Sequence, residues 1–278
     1  MPQALAVVVA PRMSADDPGV VVRPTRTARW NLVRDGVAVA RADAVCRPDR
    51  RWFVSVDAWQ EEDHDPLVNA MVADLGLDLH TRIDGADTAA LQRWSRWGFL
   101  PERREVELLI PSDPHRSGLA DTLLPVGLVL LAPDEVDETE LRDLDGRLRS
   151  ELPGMASWVH DPEEFHDHTF DEAYAVPGTH LVAVDQRGQQ FAGVVRVWVG
   201  RYRARLGLVG VARPYRRRGL ARWLLASALL PVHERGIGEV MAEVDDTNLA
   251  GLALLAGVGA VSTGSSVVLR RLASPCPG

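Results

Sequence analysis

A short apolar run, Leu206, Leu208, Val209 and Val211, breaks off at Arg213-Pro214-Tyr215-Arg216-Arg217-Arg218-Gly219-Leu220-Ala221 and resumes with a different period. Leu220, Leu224, Leu225, Ala228, Leu229 and Val232 recur at helical spacing, with Pro231 expected to kink or end the helix. The stretch therefore reads as strand, basic turn, helix. Such a junction limits the fold to an α/β type and makes a site at the same time. The first N–H groups of a helix lack intrahelical partners, and the helix dipole adds partial positive charge there. Gly219 would let the backbone come close to a phosphate, and the arginines could add charge-assisted hydrogen bonds. A solvated basic turn before an amphipathic helix is the competing reading of these residues alone.

All 31 basic residues are arginine. Without lysine the chain has neither a Walker-type phosphate loop nor a pyridoxal Schiff base. A net charge of -8 and a pI near 5.5 argue against nucleic acid or an anionic membrane as partner. Cys46 and Cys276 make no disulfide framework and no cysteine metal motif, so a reduced, cytoplasmic setting is expected. The apolar segment 4–10 lacks a preceding basic region and meets Pro11, which suits a strand better than a signal peptide. No apolar window reaches membrane-spanning length, and a soluble protein is expected.

Along the chain, Pro11, Pro18, Gly19 and Pro24 allow only short strands in the first 26 residues. Asp35-Gly36 supplies a hairpin turn between strands at 28–33 and 37–45, and a third strand follows at 51–56. An acidic loop, Trp59 to Pro66, leads to a helix at 67–75, a strand at 77–83, a helix at 87–97 ending at Gly98, and a strand at 103–110. Residues 112–118 have linker composition, which divides the chain into domains 1–111 and 119–274. The second half reads as a strand at 126–131, helices at 138–152 and 162–173, and strands at 180–185, 191–199 and 203–211. After the 220s helix come a strand at 239–244, a helix at 248–256 and a strand at 266–272. The pattern is mixed α/β.

On these motifs, residues 126–272 resemble the GCN5-related N-acetyltransferase (GNAT) family. Arg216-Arg217-Arg218-Gly219-Leu220-Ala221 matches its cofactor loop Q/R-x-x-G-x-G/A, approached by Val211-Ala212-Arg213-Pro214. Glu243-Val244-Asp245-Asp246-Thr247-Asn248 matches the E-V-x-x-x-N junction, and Asn248, Leu254 and Gly259 fit the following helix. Leu255 and Ala260 replace its usual Tyr and Phe. The resemblance implies a mixed-sheet acyltransferase fold with acetyl-CoA as cofactor. Its pyrophosphate would lie on the loop from Arg213 to Ala221, with Asn248 helping to hold the cofactor arm and an oxyanion donor on the strand near Val209 or Val211. Similarity to members that acetylate protein N-termini makes Glu243 the catalytic base, against the plainer reading of a solvent-facing edge glutamate. With Leu255 in the tyrosine position, Tyr202 or Tyr215 could protonate the leaving thiolate, or it could leave unassisted.

The acidic stretch from His160 to His168, with Asp171 and Glu172, would draw a cationic amine acceptor; the same residues also suit a solvated helix capped by Asp161. His166 and His168 do not share a helix face, so no metal is expected.

Placing Gly98 on Gly259 brings Ile83 onto Val244, Asp87 onto Asn248, Trp94 onto Leu255 and Phe99 onto Ala260. The first half thus reads as a shortened, degenerate copy, in the manner of tandem members resembling mycothiol synthase. Glu61-Glu62-Asp63 stands where a pyrophosphate would be repelled, and Arg82 stands in place of the base. The activity implied is acetyl transfer to a primary amine, on a small molecule or a protein N-terminus. The alternatives are a coenzyme A-binding sensor or scaffold and, disfavoured by net charge, a nucleic-acid binder using the arginines.

Overall fold

The computed structural model describes residues 5–9, 27–47, 50–123, 125–153, 155, 162–170, 176–187 and 190–273. They form two compact units. One comprises Met1–Arg104 and Ser266–Gly278, the other Glu105–Ser265.

The first unit starts with strands β1 (Leu5–Val9), β2 (Thr27–Arg34), β3 (Val37–Cys46) and β4 (Trp52–Ala58), joined as an antiparallel meander. Asp35 and Gly36 both have positive φ, as the β2–β3 turn demands. Helix α1 (His64–Leu75) follows a 3-10 turn and buries Leu67, Val68 and Met71. Strand β5 (Leu79–Asp84) then runs parallel to β4, and α2 (Thr88–Arg96) leads to β6 (Leu100–Pro111). The core is Trp30, Leu32, Leu67, Met71, Leu79, Trp94 and Phe99 with their neighbours. Trp94 meets Trp97 and Phe99 edge to face at ring distances of 5.3 and 4.8 Å, a favoured aromatic geometry.

In the second unit, β7 (Leu128–Leu131) precedes α3 (Glu138–Ser150), α4 (Pro162–Phe170), and strands β8 (His180–Asp185), β9 (Gln190–Val199) and β10 (Ala204–Val211). Helix α5 (Leu220–Glu234), β11 (Glu239–Asp245), α6 (Leu249–Ala256) and β12 (Val261–Arg271) complete the chain. Helix α5 runs through Pro231 to Glu234, so of the two expected effects the proline does not end the helix. The proline lies in the last turn, and the buried Leu229 and Val232 on either side hold that turn against the core. All six residues of the expected apolar face of α5 are buried. They pack on Val195, Val197, Ala204, Val240 and Ala242. On the opposite face of this sheet, Leu141, Leu144 and Leu148 of α3 and Phe165 of α4 cover Val182, Val194 and Leu208.

Residues 112–118, expected to link two domains, are built into the second unit. Ser112 is buried, its N–H donates to Gly238 O at 3.0 Å and its Oγ to Ile237 O at 2.6 Å, while Ser117 is also buried. The compact units divide earlier, after Arg104, because β6 residues from Glu105 onward pair antiparallel with β11, Glu105 opposite Asp245. The end of β12 does the reverse. Residues 266–271 pair antiparallel with β5 inside the first unit, Ser266 opposite Asp84. Each unit's sheet is therefore finished by the strand that follows the other unit's last helix. At the offset relating Gly98 to Gly259, Glu105 corresponds to Ser266 and Asp84 to Asp245, so the two exchanged pairings have the same register.

Candidate active site

The strand before the basic loop is irregular. Across β9 and β10 the register steps from Leu206 opposite Val197 to Leu208 opposite Arg196, which leaves Gly207 as the extra residue of a β-bulge. A Cβ on Gly207 would come within 2.8 Å of the Trp198 ring, so glycine fits the bulge best. The step puts Ala204, Leu206, Val209 and Val211 on the face packed by α5 and Leu208 on the face packed by α3.

Beyond its start β10 parts from its parallel neighbour. Only Ala204 with Val240 and Arg205 with Met241 are in register, although β10 continues to Val211 and β11 to Asp245. The facing edges of the two strands thus diverge into a V. Such an edge presents backbone N–H and C=O groups that a ligand can take up.

The chain leaves the open end of the V through a 3-10 turn at Arg213–Tyr215. Arg217 and Gly219 then both adopt positive φ, 63° and 83°. This sharp turn sets the N–H groups of Leu220, Ala221 and Arg222 at the start of α5, before the first intrahelical bond, from Trp223 N–H to Gly219 O at 3.1 Å. Leu220 is buried, so its side chain serves the core and only its backbone can serve a ligand.

The arginines of this turn divide into two pairs. Arg216 donates Nε–H to Val211 O at 2.8 Å and a second N–H to Glu151, and Arg213 Nε lies 3.5 Å from the same carboxylate. Foremost the hydrogen bond from Arg216, and then the charges of both arginines, hold Glu151 below the usual carboxylate range. Arg213 and Arg216 thus brace the loop against the end of α3. Arg217 and Arg218 are exposed, with no ion pair among the described residues, and are the cations turned outward. Glu151 is 65 residues from Arg216, and no local pattern signals the contact.

Residues 146–259 match the Acetyltransferase (GNAT) family. The second unit is a GNAT domain. Solved structures extend the likeness in fold to both units. A GCN5-related N-acetyltransferase from Sphaerobacter thermophilus is 21% identical, with a TM-score of 0.71 over 89% of this chain and 81% of that one. A tandem GNAT protein from the clavulanic acid biosynthesis pathway is 18% identical, with a TM-score of 0.66 over 90% and 84%. A GCN5-related N-acetyltransferase from Kribbella flavida is 14% identical, with a TM-score of 0.56 over 92% and 91%. No curated protein gives a match.

Within the GNAT domain, Asn248 caps α6 by accepting Gly251 N–H at 3.0 Å, which commits its side-chain oxygen to the helix. Glu243 lies on β11 with its side chain 15% exposed, and one of its oxygens accepts from Arg205 across the base of the V. Arg205 was absent from the sequence expectations. The residue that motif matching places at the family tyrosine, Leu255, is 2% exposed and built into the core. Tyr215 donates its hydroxyl to Asp185 Oδ2 at 3.0 Å, toward β8 and away from β11. Burial foremost, and then Asp185, push this phenol above its ordinary value. Tyr202 is 76% exposed in the β9–β10 turn. Arg222, also missed, donates to Gly257 O at 2.7 Å and Gly118 O at 2.6 Å, tying α5 to the end of α6.

The expected acidic acceptor surface falls largely outside the described residues, with His160, Asp161, Asp171 and Glu172 among those not described. His166 is described, with Nδ1 3.0 Å from Glu138 Oε2. No described helix is long and apolar enough to cross a membrane.

The first unit repeats this frame. Trp52 with Leu79 and Phe53 with His80 are the only parallel pairs of β4 and β5, and the strands then part. Here the V is stitched, since Thr81 Oγ donates to Val54 O at 2.9 Å, whereas the corresponding residue of β11 is Ala242. The β3–β4 register has no bulge. Asp63 is buried at the head of α1 and takes Arg34 at 2.6 Å. A carboxylate thus sits where the second unit offers backbone N–H groups and arginines.

Proposed function

We propose that the GNAT domain transfers an acetyl group from acetyl-CoA directly to a primary amine, on a small molecule or a protein N-terminus, in the cytoplasm. The observation that carries this reading is the V between β10 and β11, which opens onto the glycine turn and the uncommitted N–H groups of α5. Gly219, Leu220 and Ala221 would hold the pyrophosphate through their backbone, and Arg217 and Arg218 would add charge. Arg213 and Arg216 would act one step back, by bracing the loop. The edge from Leu208 through Val209 to Val211, which does not pair with β11, would take the acyl-carrying arm, and Asn248 would close the far side. Acetyl-CoA bound there supplies a thioester.

Glu243 accepts the proton that the ammonium must lose before its nitrogen can attack. N–H groups beside the Gly207 bulge stabilise the developing oxyanion. With Leu255 in the core and Tyr215 turned to Asp185, the leaving sulfur takes its proton from solvent. The buried Leu255 also motivates a second reading, a coenzyme A-binding sensor that performs no transfer.

Calorimetry with acetyl-CoA and a thiol-release assay over an amine panel test both. Tight binding with thiol release supports the transferase, and tight binding without release from any amine supports the sensor. Acetyl-CoA affinity unchanged by joint charge reversal at Arg217 and Arg218 would remove the loop assignment. Glu243→Gln is expected to lower turnover and shift its pH profile while acetyl-CoA still binds; an unaltered rate removes Glu243 as base.

A further inference from the structure

The ion pair at the base of the V bears on which amines the domain accepts, and this inference rests on the transfer reading above. Arg205 is the last residue of β10 in register with β11, and Glu243 stands two residues beyond the last paired residue of β11. Their side chains meet across the divergence, the guanidinium about half exposed and the carboxylate mostly covered. Helix α5 covers the other face of these strands through Ala204, Leu206, Val240 and Ala242. The face carrying Arg205 and Glu243 also carries Met241, which is 37% exposed. An acceptor that reaches the V from this open face meets the ion pair first.

Arg205 holds the oxygen that the ammonium would need. A cationic amine arriving at Glu243 displaces the guanidinium from the carboxylate oxygen it holds. The displaced guanidinium then loses the carboxylate that Glu243 supplied. An acceptor that carries its own carboxylate a few bonds from the amine restores both pairs, ammonium to Glu243 and carboxylate to Arg205. Guanidinium is well suited to this because its planar fork binds a carboxylate with two parallel hydrogen bonds.

We infer that Arg205 is a specificity-determining residue and that the acceptor is a zwitterionic, amino-acid-like amine. In the reaction the acceptor nitrogen forms the new N–C bond as the thioester C–S bond breaks. The ammonium loses one proton to Glu243, which passes it to solvent, and the nitrogen loses a second as the amide forms; the departing thiolate takes up one proton from solvent, so the products are the N-acetyl amino acid, free thiol and one net proton.

The experiment is thiol release by the full chain at fixed acetyl-CoA, with matched acceptors: β-alanine, β-alaninamide and propylamine, and glycine with glycinamide. The expected result is a kcat/KM for the amino acids about tenfold or more above their uncharged-end analogues, expressed mainly in KM, as for a site built around a polar group. Arg205→Met should bring the ratio close to one, Arg205→Lys should keep part of it, and Arg205→Glu should turn the preference toward 1,3-diaminopropane. A ratio that stays the same in Arg205→Met, or a wild-type protein that favours the amide or propylamine, overturns the inference and leaves acetyl transfer standing. Where Arg205→Met does not fold by circular dichroism, Arg205→Lys and Arg205→Gln decide on the same ratio. Acetyl-CoA binding with no thiol release from any amine overturns the transfer reading, and this inference with it.

Discussion

The segments from Leu79 to Phe99 and from Val240 to Ala260 share a backbone plan down to single hydrogen bonds. Asp84 accepts Ala86 N–H at 2.8 Å, as Asp245 accepts Thr247 N–H at 3.0 Å. Asp87 caps α2 through Ala90 N–H, as Asn248 caps α6 through Gly251 N–H. Phe99 N–H returns to Trp94 O just as Ala260 N–H returns to Leu255 O, each past a glycine of positive φ. The two units differ where the chemistry would lie. One has an acidic helix start, an unbulged strand and a V stitched by Thr81; the other has a glycine turn, a bulge and an open V. Turn and cap residues preserve the frame, and a few residues outside them decide whether the frame can hold an anion.

The sharpest way to break this contrast is to block the glycine turn proposed to hold acetyl-CoA. Gly219→Glu puts a side chain at φ 83° and a carboxylate beside the helix start. Calorimetry should find acetyl-CoA affinity lowered by about a hundredfold or more, against no change for Glu62→Ala in the first unit. Two binding sites per chain, or a loss at Glu62, would end the distinction.

The buried histidines give the next largest effect. Burial foremost, then Arg196, drop His180 from 6.5 to about 4, while His80 is lowered by burial with Glu102 pulling the other way. The unfolded chain binds the His180 proton first, so stability falls as pH drops from about 6.5 toward 4. The loss should approach about 3 kcal/mol, and His180→Gln should remove that part of the pH dependence in thermal melts. Equal acid sensitivity in both proteins would show that the second unit draws it from elsewhere.

Transplanting the stitch tests the V itself. Ala242→Thr copies Thr81 into β11, and acetyl-CoA affinity should fall about tenfold, with the structure checked by circular dichroism. The smallest effects come from the caps. Asp87→Ala and Asn248→Ala should each cost about 1 kcal/mol in denaturant melts, but only Asn248→Ala should raise the KM for acetyl-CoA. Matching KM values in both variants would make Asn248 a cap and nothing more.

Much of the frame could be read from sequence because its determinants are local. The cap residues, the glycines after α2 and α6, and the apolar face of α5 each lie within a few positions of what they control. The strand exchange could not be read that way. Residues 100–111 and 261–271 are equivalent continuations of equivalent units, and either could pair with β5 or β11 by alternation alone. In the candidate site, the glycine turn and Glu243 are marked by their match to the GNAT motifs. The bracing role of Arg213 and Arg216 did not, because Glu151 comes from α3, and Arg205 did not, because its partner comes from a strand 38 residues later.

The exchanged strands also set an order on synthesis. When β5 has left the ribosome it still lacks the partner that residues 266–271 provide, and it presents an open edge until those residues have been made. The second half can pair β6 with β11 once residue 245 has emerged, whereas the first half must wait for residues 266–271, and a gene split between the two halves would leave each product one strand short.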